Sequence, residues 1–346
     1  MFWIIGGDAL GTTLLKYGNW SFSPALSDQL RHVEWEGFRF YDLIFPLFLF
    51  LVGCVLPYSL EKYRQQPSAA YWRVFRRTAL LILLGLLSNN LLQFDWPNMR
   101  YAGVLQRIGI CYGAAALIYL QNPPRGQAIW AAGLLVGYWV LLTFIPLPGG
   151  LTGDFSKEGN LPGFLDRLLL PGKIMSSYYG YGDNAGLLST VPAIATALLG
   201  VLTGNWLKSS ARPWTKAAGM AAAGLVALIV GHSWGTIFPI IKNIWTSSFV
   251  LVAAGWSLLL LALFYTVIDV LGWRKWSFFF VVIGMNAITI YVAQRFIDFR
   301  KIALFFLGGV VNLSGDLGPL ITVIGILIAK WLFLWFLYRH KVFLRV

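Results

Sequence analysis

Long unalternating apolar runs, separated by short polar or basic stretches, dominate the chain. Residues 40–60, 246–270 and 318–338 each approach or exceed the 20 or so residues that a helix needs to cross about 30 Å of hydrocarbon. Backbone N–H and C=O groups find no partner in lipid, so a spanning segment must be a helix or belong to a closed barrel. The absence of period-two alternation selects the helix. The pattern predicts spans at 1–15, 40–60, 75–93, 103–120, 127–146, 186–206, 216–231, 246–270, 278–296 and 318–338, an all-α polytopic transmembrane bundle of about ten crossings. Residues 302–311, with Gly308 and Gly309, are too few to cross unaided and read as re-entrant or interfacial, or as an eleventh crossing. The first run opens directly at Met1 and covers only about 22 Å, which predicts a helix truncated at its N-terminus. No internal repeat and no long linker interrupts the pattern, so a single membrane domain over 1–346 is the economical reading.

Charge adds an orientation. The segment 61–77 carries Lys62, Arg64, Arg73, Arg76 and Arg77, and Lys208, Arg212 and Lys216 crowd a second short connection. Under the positive-inside rule both face the cytoplasm, and alternating crossings put Arg274, Lys275 and the basic 339–345 segment on the same side, with both termini cytoplasmic. Arg295, Arg300 and Lys301 fall on the opposite side and stand as the exception. Trp20, Trp35, Trp96, Trp206, Trp214, Trp245, Trp273 and Trp276 lie near span ends, as headgroup-level anchors do.

Composition agrees: 58% of the residues are hydrophobic and 12% charged. The net charge of +13 would suggest nucleic acid in a soluble domain, but here it is distributed over connections between spans, and no nucleic-acid partner is expected. Cys54 and Cys111 sit inside spans as small packing residues, and no metal cluster is implied.

Ionisable groups near hydrocarbon are costly and mark function. The densest group is Asp8 with the segment 32–42, which runs from His32 through Trp35 to Asp42 and leads into the second span. An imidazole beside a carboxylate is a workable general base, and Asp8 or Asp42 could orient it; alternatively His32 is a solvated loop residue. Gln106 and Arg107 enter the fourth span, where Arg107 needs an anionic ligand or a buried acid such as Asp8 or Asp42. Asn286 in the ninth span needs a hydrogen bond and reads as inter-helix glue or as a substrate contact. Arg73, Arg76 and Arg77 either hold phosphates or serve only as an orientation signal. His340 and His232 read as headgroup-facing and interfacial.

At these residues the sequence resembles a known family. His32-x-x-Trp35-x-Gly37-x-x-x-x-Asp42, running on through Pro46 to Gly53, is similar to the signature of the heparan-α-glucosaminide N-acetyltransferase family, which includes bacterial members of unassigned substrate. The match continues in order through Arg76-Arg77, Gly103 to Arg107, Gly186 to Thr190, Lys242 to Trp245 and Gly284-Met285-Asn286. The resemblance implies a multi-helix enzyme of a bacterial inner membrane that carries acetyl from cytoplasmic acetyl-CoA to a glucosamine-like amine on the far side. Its catalytic histidine maps onto His32. Asp8 stands where the lysosomal enzyme has an asparagine, and the Arg-Gly motif that the family carries before its first helix is missing, in line with a truncated start. The expected site comprises His32, Asp8 and Asp42 for catalysis, Arg76, Arg77, Gln106 and Arg107 for acetyl-CoA, and Trp35 and Asn286 for the amino sugar; relatives suggest a homodimer. His32 can act as base or attack the thioester and carry the acetyl itself. Bacterial relatives are also described as membrane proteins of N-acetylglucosamine utilisation, so an amino-sugar transporter is the alternative, although no pair of interrupted helices marks corresponding halves.

Overall fold

A computed structural model describes residues 1–18, 23–63, 66–147, 152–175 and 180–344; Trp20, Arg64 and Arg345, used above for anchoring and orientation, lie outside the described residues. The described chain is helical, with isolated bridges Glu36–Ile241 and Arg100–Gly172 and no strand. Among the described residues, seven helices are long and apolar enough to cross a membrane: Phe40–Tyr63, Val104–Gln121, Pro124–Phe144, Thr190–Lys208, Pro213–Gly235, Ser247–Val270 and Gly315–Arg339. Lys275–Met285 and Ala287–Phe296, bent by 59°, supply an eighth if they form one broken span.

The expected count of ten to eleven drops for identifiable reasons. Residues 1–15 are not one regular helix: Gly6, inside the Trp3–Gly7 turn that precedes the 11-residue helix Asp8–Gly18, leaves the helical path at φ +129°. The 22-residue helix Pro67–Ser88 carries Arg73, Arg76 and Arg77 in its first half, which lowers its apolar character. Residues 302–311 fall within Phe299–Leu313, whose 15 residues reach only about 22 Å.

By internal contacts the chain forms two compact units, one of Met1–His32, Arg39–Ile44 and Gly272–Val346, the other of Val33–Phe38 and Phe45–Leu271. In the larger unit, glycines let helix backbones meet. A Cβ at Gly200 would lie 2.0 Å from the Phe50 carbonyl oxygen, one at Gly53 2.0 Å from that of Ala197, and one at Gly204 2.3 Å from that of Cys54. Gly200 and Gly204 are the small-xxx-small spacing that membrane helices use when no hydrophobic force drives them together. Gly109 similarly faces the Thr78 carbonyl across Pro67–Ser88 and Val104–Gln121, and Gly224 faces Gly255 across Pro213–Gly235 and Ser247–Tyr265. Trp245 is not a headgroup anchor. It is buried at φ +55°, and its Nε1 donates to Thr196 Oγ1 at 3.1 Å, because the connection 242–246 folds into the unit.

The smaller unit packs Ile5, Val282, Ile283, Ile290, Phe299 and Leu334 into one core. Helices Phe299–Leu313 and Gly318–Arg339 form a hairpin. Lys330 Nζ, partway along the second, donates to the Ile5 carbonyl at 2.7 Å and to Gln294 Oε1 at 3.2 Å. An ammonium in this apolar setting is thereby solvated by fixed oxygens rather than by water.

Candidate functional site

Helix Phe40–Leu60 begins with Phe-Tyr-Asp, which places Asp42 in its first turn. There a carboxylate favours the unpaired N–H groups and the positive end of the helix dipole. Asp42 Oδ2 accepts from the Arg39 backbone N–H at 3.1 Å, and Oδ1 meets His32 Nδ1 at 2.7 Å. The Asp42 side chain is fully buried, whereas that of His32 keeps 21% of its surface exposed. The Arg39 guanidinium donates to the His32 carbonyl at 3.3 Å, and the Phe40 N–H donates to Gln29 Oε1, so the segment bearing the imidazole is tied to the helix start on both sides.

A carboxylate only accepts, so the contact puts the neutral ring's proton on Nδ1 and its lone pair on Nε2. The arrangement can serve as an oriented general base, in which Asp42 would fix the tautomer and stabilise the imidazolium formed on proton uptake. Of the two carboxylates expected to orient His32, Asp42 does so. Asp8, at the start of helix Asp8–Gly18, instead accepts from the Tyr41 hydroxyl at 2.9 Å. The Tyr41 ring lies 4.6 Å from the His32 ring at 48°, so Asp8 reaches the imidazole through a tyrosine. Tyr41 went unrecognised in the sequence; its place beside Asp42 was the available signal.

The larger unit holds a second polar group. Arg107, 1% exposed, donates to the Gly186 carbonyl at 3.1 Å and to Ser189 Oγ, and its guanidinium lies 4.9 Å from the Trp245 ring centroid. It pairs with neither Asp8 nor Asp42. Its Nε and Nη1 are buried without hydrogen-bond partners, as are Gln106 Nε2 and Arg77 Nε. The Gln106 amide oxygen lies where a Cβ on Gly85 or Gly103 would sit, 2.3 and 2.6 Å away, so both glycines make room for it. Arg77 stacks 4.4 Å over the Tyr112 ring. Buried donors left unpaired are costly, and these nitrogens can each take an acceptor.

Outside the spans, a carboxylate clasp fixes the loop that serves Arg107. Asp183 takes a fork from Arg100, at 2.8 Å from Nε and 2.5 Å from Nη2, and accepts from the Ala185 and Met175 N–H groups. Burial would raise its carboxyl, but these partners outweigh it and hold the group below the usual carboxylate range. Asp166 accepts from the Asp183 and Leu187 N–H groups at 3.1 and 2.9 Å. Burial and the neighbouring Asp183 charge hold its carboxyl above that range in spite of those bonds. Gly186 passes so close that a Cβ there would lie 1.9 Å from the Asp166 carboxylate. Residues 186–189 are therefore loop, and the span expected from 186 starts at Thr190.

Arg76 is exposed on Pro67–Ser88, on the same helix as Arg77. Trp35 Nε1 donates to the Phe155 carbonyl at 2.9 Å within the larger unit. Asn286, in the smaller unit, breaks the helix at ψ 36°; its amide donates to the Val342 carbonyl at 3.2 Å and accepts from Thr289. His232 is exposed with Nδ1 2.9 Å from the Leu228 carbonyl, and His340 lies against the Phe336 ring. Among the described residues, no group of His, Cys, Asp and Glu is arranged to hold a metal.

No protein-family model matches the chain. Two curated proteins do. Human heparan-alpha-glucosaminide N-acetyltransferase is 30% identical over 325 residues, covering 77% of this chain and 48% of the human protein. The mouse protein of the same name is 29% identical over 326 residues, covering 78% of this chain and 49% of its own length. The chain spans about half the length of the curated relatives it matches.

Proposed function

Because the chain belongs, over the stretch it shares with them, to the heparan-α-glucosaminide N-acetyltransferase family, we propose that it is a membrane-embedded N-acetyltransferase. In this reading it moves acetyl from cytoplasmic acetyl-CoA to a glucosamine-like amine across a bacterial inner membrane, with both termini cytoplasmic. The observation that carries the reading is the His32–Asp42 contact at 2.7 Å, with the carboxylate buried and the imidazole partly open.

Acyl transfer from a thioester to an amine forms a C–N bond and breaks the C–S bond, so the departing thiolate must gain a proton and the attacking nitrogen must lose one. His32 Nε2 takes that proton, while Asp42 holds Nδ1–H and offsets the charge. Tyr41 packs against the ring and is itself held by Asp8. The acyl donor supplies the acetyl group as a thioester and brings phosphates and amides. The buried, unpartnered nitrogens of Arg77, Gln106 and Arg107 suit such acceptors. Arg76, exposed on the same helix as Arg77, is assigned to the donor phosphates.

The 59° break at Asn286 gives a second reading, an amino-sugar carrier, its foothold, since discontinuous helices are a device of secondary transporters. Thiol release from acetyl-CoA by the purified protein in nanodiscs, with and without glucosamine, separates the two. Glucosamine-dependent release that disappears in His32→Ala supports the transferase. Labelled sugar entering liposomes without acetyl-CoA, with no thiol release, replaces it with the carrier.

A further inference from the structure

Arg295, Arg300 and Lys301 break the charge asymmetry that orients the rest of the chain, and neither the His32 site nor the buried arginine group uses them. In the smaller unit Arg295 and Arg300, together with Lys330, line a concavity of about 540 Å³ bordered by Gln294, Phe296 and Asp298. That volume lies within the range of small-ligand sites. Three cations face one acid there, and the acid is already engaged: Asp298 Oδ1 caps Phe299–Leu313 by accepting from the Arg300 and Lys301 N–H groups, and Oδ2 lies 3.8 Å from Lys301 Nζ. Among the described residues neither the Arg295 nor the Arg300 guanidinium is paired with a carboxylate. Lys330, half-buried and fixed by Ile5 and Gln294, brings a positive charge that is held in place rather than mobile in solvent.

We propose that this concavity binds a phosphate ester, supplied by the headgroup of an anionic phospholipid. Guanidinium forks match phosphate oxygens in pairs, and a preset ammonium adds a point charge. With the helix amides occupied by Asp298, the side chains carry the recognition. A lipid is the favoured source because the adjoining surface is apolar: Phe296 is 66% exposed, and Phe305, Phe306 and Leu313 along Phe299–Leu313 are 83%, 76% and 90% exposed. Acyl chains would lie along that helix while the phosphate enters the cationic end. Basic pockets between membrane helices take anionic headgroups in this manner.

The full-length protein, extracted in neutral detergent and given phosphatidylglycerol or phosphatidylcholine, is read by native mass spectrometry. The wild type is expected to retain phosphatidylglycerol preferentially. Arg295→Gln with Arg300→Gln should weaken that retention about thirtyfold, at roughly a factor of five for each cation removed, while Arg212→Gln in the other unit leaves it unchanged. Equal retention of the two lipids by the wild type, or unchanged retention in the double variant, overturns the proposal. Glycerol 3-phosphate that raises the Tm of the wild type but not of the double variant, without selective lipid retention, keeps the phosphate chemistry and overturns the lipid source. If the double variant does not fold, competition of glycerol 3-phosphate against bound phosphatidylglycerol in the wild type reads the same site, and failure to compete counts against it. The outcome is independent of any transferase activity.

Discussion

Asp42 is the residue on which the proposed chemistry turns, because it holds one nitrogen of His32 and leaves the lone pair on the other. Asp42→Asn keeps the shape but can no longer stabilise the imidazolium, and is expected to lower the turnover rate about 10²–10⁴-fold with little change in donor KM, measured by thiol release. Tyr41→Phe keeps the ring against His32 and removes the bond to Asp8. A loss well under that of Asp42→Asn assigns Asp8 a supporting place, and an equal loss would make it a full partner. Asp183 carries the pH dependence. Its folded carboxyl lies below the ordinary range, so the stability it contributes is present above that range and is lost as pH falls through the lowered value. Asp166 has the opposite sign: its contribution is complete in acid and is lost as pH rises through its raised value. Wild-type Tm should therefore decline only as pH falls from the ordinary Asp value of about 4 through the lowered one, and Asp183→Asn should flatten that limb while costing about 3 kcal/mol at neutral pH. A Tm profile identical in both proteins would sink the assignment. The pairing of His32 with a carboxylate was legible in the sequence because His32 and Asp42 share one short segment. Which carboxylate it would be was not legible, since Asp8 comes near only through the tertiary placement of Tyr41, and a tyrosine at a span end reads as a headgroup anchor.

At the scale of helices, backbone contact rather than side-chain interlocking sets the tolerances. Gly200→Ala would drive a methyl into the Phe50 carbonyl and Gly53→Ala one into that of Ala197, and each should cost about 1–3 kcal/mol in a detergent unfolding titration. Gly133→Ala, on Pro124–Phe144 with open space around it, should cost nothing and gain up to about 1 kcal/mol. Similar losses at all three positions would show that the close crossing does not matter. Periodicity located the long spans well, because 40–60, 246–270 and 318–338 are apolar apart from a single charged residue each, Asp42, Asp269 and Lys330. It failed where a polar residue interrupts a run for its own reasons. Asn286 looked like glue inside one helix and is instead the break between two, while Gly186 to Ser189 looked like the start of a span and is loop held by Asp166.

For the molecule as a whole, the orientation inferred from basic loops can be tested directly, because the native Cys54 and Cys111 are buried and give a quiet background. Single cysteines at the exposed positions Lys62 and Arg339 should react with an impermeant thiol reagent from the cytoplasmic side, and one at Glu158 from the opposite side. Labelling of Lys62→Cys and Glu158→Cys from one side would overturn the topology. The division into two units was not visible in the sequence, since no linker or change of composition marks it: one unit is assembled from the first residues and the last. The contact of Lys330 with the Ile5 carbonyl closes that unit across a separation of 325 positions. At about 5–20 residues per second, a ribosome needs about 16–65 s to reach the lysine after making the isoleucine. Throughout that interval the unit that carries His32 lacks its last hairpin, so a chain that stops early presents the histidine in a unit that has not closed. Biosynthesis itself thus delays the closure of this unit until the lysine has been made.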